Sequence, residues 1–221
     1  YLRFHSREIC GAIYFKNTTK MSIPNLDFIV KKHHSNDTGL TRHYLTLYSI
    51  VLGMESKNVF EFGAGFSTQA MVEALKVTGG KLTSVDQRPL SIREDIPDSF
   101  VRDNKNIWSF YEGNSLDVVP TLDHSECYDV VLHDGSHTGI EVTEDLNNIA
   151  PYVKSGGLVL IHDTAHYDLG PEMRAGLANS NLIKKYKHDG STLPYGYGLT
   201  IVKIFDNPNN DKSVKILWKK E

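Results

Sequence analysis

From Asn58 to Ile161, short β-branched or apolar runs alternate with longer segments of helical period, and this alternation limits the fold more than any other feature. Strands are expected at Asn58–Phe62, Lys81–Val85, Ile107–Tyr111, Tyr128–His133 and Gly157–Ile161, and helices at Ser67–Lys76, Ser115–Thr121 and Gly139–Val153. The runs Val-Val-Leu and Leu-Val-Leu-Ile are continuously apolar, as strands are when helices cover both sheet faces. The pattern therefore predicts a parallel, doubly wound α/β sheet. Leu182–His188 and Gly198–Phe205 are expected to add two strands joined by the turn-rich Asp189–Tyr197, with Ser213–Trp218 as a short edge strand.

The 221 residues are 40% apolar, enough for one sizeable core. A polar stretch, Lys31 to Gly39, divides an N-terminal arm (1–38) from the main domain (39–221). Tyr14 to Leu52 is mostly helical by pattern, best at Gly39–Gly53, and the arm is expected to help cover a substrate site. A net charge of −3 argues against a nucleic-acid partner. No apolar run approaches the ~20 residues of a membrane span, and Arg3, His5, Arg7 and Glu8 stand where a signal peptide would be apolar. Cys10 and Cys127 give neither metal spacing nor a disulfide framework, so reduced thiols and a cytoplasmic location are expected.

In Asn58-Val-Phe-Glu-Phe-Gly-Ala-Gly-Phe-Ser-Thr68 two glycines lie between a strand and a helix, where backbone N–H groups can approach a ligand. Asp86 ends the next strand, 23 residues after Gly63, a spacing at which an acid commonly accepts hydrogen bonds from ribose hydroxyls. The alternative is a plain strand-to-helix turn with Asp86 capping a loop. A dinucleotide fingerprint wants a third glycine where Thr68 stands, which disfavours NAD. Glu61 suits a ligand carrying an ammonium and a sulfonium better than a pyrophosphate, which points to S-adenosylmethionine (SAM).

Glu61-Phe-Gly-Ala-Gly-Phe-Ser-Thr68, Asp86, Tyr128-Asp-Val-Val-Leu-His-Asp-Gly-Ser-His137 and Gly156-Gly-Leu-Val-Leu-Ile-His-Asp-Thr164 together resemble class I SAM-dependent methyltransferases. Within these the chain is most similar to the metal-dependent O-methyltransferases, the catechol, macrolide-sugar and cephalosporin-hydroxylase-like group. The resemblance spans roughly 58–164 and implies a Rossmann-like sheet of seven strands, mostly parallel with a final antiparallel one. It also implies that Gly63, Gly65 and Ser67 hold the methionine moiety, Asp86 the ribose, and Asn114 and Ser115 the adenine edge.

Asp134 and Asp163 each follow an apolar strand, and the fourth and fifth strands of such a sheet are neighbours about 4.8 Å apart. Their carboxylates can meet beside the glycine loop and bridge a divalent cation, with Mg²⁺ favoured. Such an ion acidifies an acceptor hydroxyl and orients it toward the methyl group. His137, on the loop after Asp134, is the expected general base. His162 is a further candidate ligand, but adjacent side chains on a strand point to opposite faces, so His162 and Asp163 share an ion only if the strand has turned.

The expected activity is SAM-dependent, metal-assisted O-methylation of a sugar-type or phenolic small molecule. A catalytically silent SAM-binding protein and a nucleotide-dependent oxidoreductase are the alternatives. Leu193-Pro-Tyr-Gly-Tyr-Gly198 reads as a substrate wall, a homodimer contact or a plain turn, while His166 and Tyr167 lie close enough in sequence to face the acceptor. His33-His34 is either a metal or anion site or an exposed linker, Glu141, Glu144 and Asp145 read as a solvated helix face, and Asn17 and Asn36 begin chance glycosylation sequons.

Overall fold

A computed structural model describes residues 26–35 and 39–209. The strands are β1 Asn58–Phe62, β2 Lys81–Asp86, β3 Trp108–Glu112, β4 Tyr128–His133, β5 Val153–His162, β6 Lys187–Leu193 and β7 Leu199–Asp206. They form one sheet in the order β3-β2-β1-β4-β5-β7-β6. β1 to β5 pair in parallel, and β7 runs antiparallel to both β5 and β6. The order reverses between β1 and β4, and doubly wound sheets bind their ligands at such a switch point.

Period-two alternation sends side chains to two cores. On one face, Val59, Val130, Leu132 and Leu160 pack with residues of the helices α1 Leu26–Ser35, α2 Tyr44–Gly53 and α3 Phe66–Thr78. On the other, Phe60, Phe62, Val131, Val159 and Ile161 meet α6 Gly139–Ile149, α7 Gly170–Asn179 and α8 Asn181–Lys185. Two short helices, α4 Asp98–Asn104 and α5 Ser115–Val118, flank β3.

The chain departs from the sequence pattern at several points, among them the expected helix Gly39–Gly53, which is a 3₁₀ turn over Leu40–His43 followed by α2. Leu182 to Lys185 belongs to the helix α8, where Leu182 is fully buried and the backbone N–H of Asn181 donates to Asn147 Oδ1 at 2.6 Å. A two-residue apolar run carries no period that separates helix from strand. The strand itself is Lys187–Leu193, read from sequence as turn, because an edge strand with one partner needs no apolar alternation. β5 begins at Val153 rather than Gly157, and a 3₁₀ turn over Ala150–Tyr152 shortens the preceding helix. The expected strand at Ser213–Trp218, the Asn17 and Asn36 sequons and Cys10 lie outside the described residues.

Among the described residues no helix is long and apolar enough to cross a membrane. Of the expected arm, α1 packs against α2, and its residues do not line the central cavity, whereas Gly39 and Leu40 do.

Candidate active site

A cavity of about 650 Å³ opens at the carboxyl ends of β1, β2, β4 and β5. Gly63, Gly65, Asp86, Asn114, Ser115, Asp134, His137, His162 and Asp163 all line it, so the structure gathers most of the sequence-selected residues around one space. Gly63 is required twice over. Its φ of +80° is left-handed, and a Cβ there would stand 2.2 Å from the Asp134 carbonyl oxygen. The glycine loop and the end of β4 are therefore in backbone contact, which brings the loop to the acids.

Glu61 and Ser67 do not line the cavity, contrary to the roles expected of them. Glu61 shares its face of β1 with Val59, so its carboxylate points beneath α3 rather than out of the strand end. Buried there, it accepts hydrogen bonds from Ser67 Oγ, from Thr68 Oγ1 at 2.7 Å and from Ser84 Oγ at 2.6 Å. Burial raises its pKa to about 7 despite the three donors. Thr68, standing where a dinucleotide loop has glycine, also accepts from the Gly65 N–H at 2.8 Å and so closes the first turn of α3.

At the end of β2, Asp86 Oδ2 accepts from the Ala64 N–H at 3.0 Å and Oδ1 from the Arg88 N–H at 2.8 Å. Arg93, which no motif singled out, pairs with Asp86 Oδ2 at 2.5 Å and with Asp95 Oδ2 at 2.9 Å. Asn114 caps α5 by accepting from the Leu116 N–H at 2.9 Å, which fixes the loop carrying Ser115.

Asp134 and His162 follow Leu132 and Leu160 by two residues, so both side chains emerge on the same face of neighbouring strands. His162 Nδ1 lies 3.0 Å from Asp134 Oδ1 and 3.2 Å from Asp163 Oδ1. Asp163 joins them because its φ of +59° turns the chain out of the strand, the condition set above for adjacent residues to converge. Among the described residues these three form the one cluster able to hold a metal ion, with ligand atoms within 4.8 Å of one another. Among the described residues His33 and His34 join no such cluster.

The second ring nitrogen fixes the tautomer. His162 Nε2 lies 3.1 Å from the Gly196 carbonyl oxygen, an acceptor only, so Nε2 carries a proton and Nδ1 faces the acids. His43 Nε2 bonds the same carbonyl at 3.1 Å. Burial opposes charge on His162, but Asp134 and Asp163 outweigh it and hold its pKa at about 10. Burial, reinforced by the His162 charge, lowers His43 to about 4. Burial likewise opposes charge on Asp163, yet hydrogen bonds from His137 and His162 hold its carboxyl far below the ordinary value. His137 Nε2 donates to Asp163 Oδ2 at 2.9 Å, which raises the imidazole pKa against the effect of burial.

At the cavity wall, Asp145 pairs with His133 at 3.0 Å and both are fully buried, so Asp145 is not on a solvated face. The signal was present, since Asp145 falls within the stripe Val142, Leu146 and Ile149. Tyr197, also at a left-handed φ (+66°), presents its ring to the cavity, and Tyr167 is largely exposed.

A family model described as a methyltransferase domain matches residues 60–164. Those residues span β1 to the end of β5 and include the glycine loop and every candidate metal ligand. Over this stretch the chain is similar to a methyltransferase domain, and its sheet has the class I methyltransferase fold. Solved structures share its fold at low identity. An O-methyltransferase from Streptomyces achromogenes involved in tomaymycin synthesis, in complex with SAM, is 17% identical with a TM-score of 0.61, over 82% of this chain and 89% of its own. An O-methyltransferase from Bacillus cereus in complex with S-adenosylhomocysteine (SAH) is 13% identical with a TM-score of 0.60, over 81% and 88%. The SAH-bound methyltransferase PaMTH1 from Podospora anserina is 15% identical with a TM-score of 0.57, over 87% and 99%. No curated protein matches the sequence.

Proposed function

We propose that this methyltransferase domain transfers a methyl group from SAM to a hydroxyl of a sugar-type or phenolic small molecule, assisted by a divalent cation. The observation that carries this reading is the convergence of Asp134, His162 and Asp163 beside the glycine loop. Solved neighbours that are O-methyltransferases, bound to SAM or SAH, support the choice of donor and acceptor atom.

The residues fit a cation. Two carboxylates this close need a positive partner, and His162 as an imidazolium supplies it in the described arrangement. With Nε2 bonded to Gly196, loss of the Nδ1 proton leaves a lone pair aimed at the same point, giving one nitrogen and two carboxylate donors. That set moves the preference from Mg²⁺ toward Mn²⁺, Fe²⁺ or Zn²⁺. When bound, the ion supplies Lewis acidity that makes an acceptor hydroxyl a better nucleophile.

Asp86 holds the ribose, the loop from Gly63 to Gly65 holds the donor's amino-acid end, and Asn114 with Ser115 borders the adenine. Because His137 donates through Nε2 to Asp163, its Nδ1 is the atom that takes the acceptor proton. Tyr197, Gly39 and Leu40 wall the side open to the acceptor.

Calorimetry with SAH and Mn²⁺, followed by labelled methyl transfer from SAM to sugar and phenolic hydroxyls with and without chelator, tests the reading. SAH binding without metal uptake or transfer would identify a silent SAM-binding protein. NAD binding in place of SAH would identify an oxidoreductase.

A further inference from the structure

The cofactor cavity already contains a substitute ligand. Glycine at position 65 leaves room for a ligand against the loop, yet that room is filled from within the chain. A Cβ on Gly65 would meet Asp95 Oδ2 at 2.9 Å and Arg93 Nη2 at 3.0 Å. The Arg93 side chain is only 2% exposed and its guanidinium is used on every side. Nη1 bonds Asp86 Oδ2 at 2.5 Å, Nη2 bonds the Ala64 carbonyl and Asp95 Oδ2, and Nε bonds Asp95 Oδ1 at 3.2 Å.

These bonds use up most of the acceptor capacity of Asp86. Asp86 Oδ2 has two acceptor positions, taken by the Ala64 N–H and by Arg93, and Oδ1 has one of its two taken by the Arg88 N–H. One position remains, whereas a ribose diol offers two hydroxyl donors. The segment between β2 and α4 that carries Arg93 has only a short 3₁₀ turn, Leu90–Ile92, and a second cavity of about 740 Å³ lies on its other side. Arg93 and Asp95 line both cavities, as do Phe66 and Arg88, so the pair stands in their shared wall.

We propose that the Arg93–Asp95 pair is an internal latch on the adenosyl site, which holds Asp86 and must release it for the ribose to bind. The inference rests on the adenosyl reading of this cavity. Arg93 is thereby a determinant of cofactor affinity through competition. The affinity observed is the intrinsic one multiplied by the fraction of molecules whose latch is open. Hydrogen bonds to charged groups contribute enough that losing them should shift this fraction by about tenfold.

Isothermal calorimetry with SAH on the wild type, Arg93→Gln and Asp95→Asn tests this. Asp95→Asn weakens the hold on Arg93 without altering Asp86, and so guards against a misfolded Arg93 variant. Tighter SAH binding by about tenfold in either variant, with a lower melting temperature in the absence of ligand, is the expected result. Equal or weaker binding in both, with the wild type binding SAH, would overturn the latch and leave the adenosyl reading intact. If none of the three proteins binds SAH, the adenosyl reading fails and the latch with it.

Discussion

Replacing Glu61 with glutamine should make the protein progressively more stable than the wild type as pH rises from 4 to 8. Glu61 is fully buried, and burial lifts its pKa from 4.5 to about 7 against the pull of Ser67, Thr68 and Ser84. The folded state therefore keeps the proton over an interval in which the unfolded chain releases it. The Glu61 contribution to wild-type stability falls as pH climbs from about 4.5 to about 7 and is level on either side. A shift of that size corresponds to about 3 kcal/mol. Glutamine does not titrate, so the difference in unfolding free energy between variant and wild type should widen by about that amount across the interval. The amide also replaces one acceptor oxygen with a donor facing hydroxyls, which costs about 1 kcal/mol. Those hydroxyls can rotate, and this cost is independent of pH, so it offsets the curve without changing its slope. Urea unfolding at half-unit steps of pH measures it. A difference that stays flat within about 1 kcal/mol, or that narrows with pH, would refute the account of Glu61 as a buried acid held beneath α3.

Gly63→Ala should lose more than about 2 kcal/mol of stability, since it combines a left-handed backbone with a Cβ driven into the Asp134 carbonyl; thermal unfolding checks this, and a loss below 0.5 kcal/mol contradicts the close contact. Asp145→Ala should cost about 3 kcal/mol by stranding the buried His133, whereas the double change His133→Leu with Asp145→Leu should recover most of it; denaturant melts of both variants decide. Asp163→Asn tolerates the left-handed backbone but removes a charge, so Mn²⁺ affinity should fall at least about tenfold, as read by calorimetry with the metal alone, and the melting temperature should fall as well because His137 and His162 lose their carboxylate partner. His137→Ala should lower the rate of methyl transfer by about 10²-fold or more while leaving SAH affinity nearly unchanged, and an unchanged rate would remove it from the mechanism.

Much of the sheet was legible because continuous apolar strands and amphipathic helices carry their periods locally. Val59 against Phe60, or Leu160 against Ile161, already declares two faces to be covered. The strand β6 was hidden because an exposed edge strand is released from that requirement, and α8 because Leu182 and Ile183 are too short a run to show a period. In the cavity, Gly63, Asp86, Asp134 and Asp163 could be located by their position at strand ends. Glu61 and Ser67 were placed on the ligand by adjacency to the loop, although strand alternation already turned Glu61 inward. Asp145 could have been found by the same reasoning on the helix.

The sequence alone determined where the five parallel strands lie and which of their ends carry the acids, because hydrophobic period is a property of neighbouring residues. Only the tertiary structure decided that His162 joins Asp134 and Asp163. That convergence needs a left-handed backbone at Asp163 and the Gly196 carbonyl brought in from the turn before β7. It alone also decided that Arg93 reaches Asp86, since an ion pair closed through a loop leaves no periodic trace in the chain. Local periodicity can encode a layer of structure, but the meeting of distant polar groups is settled by where those layers carry their ends.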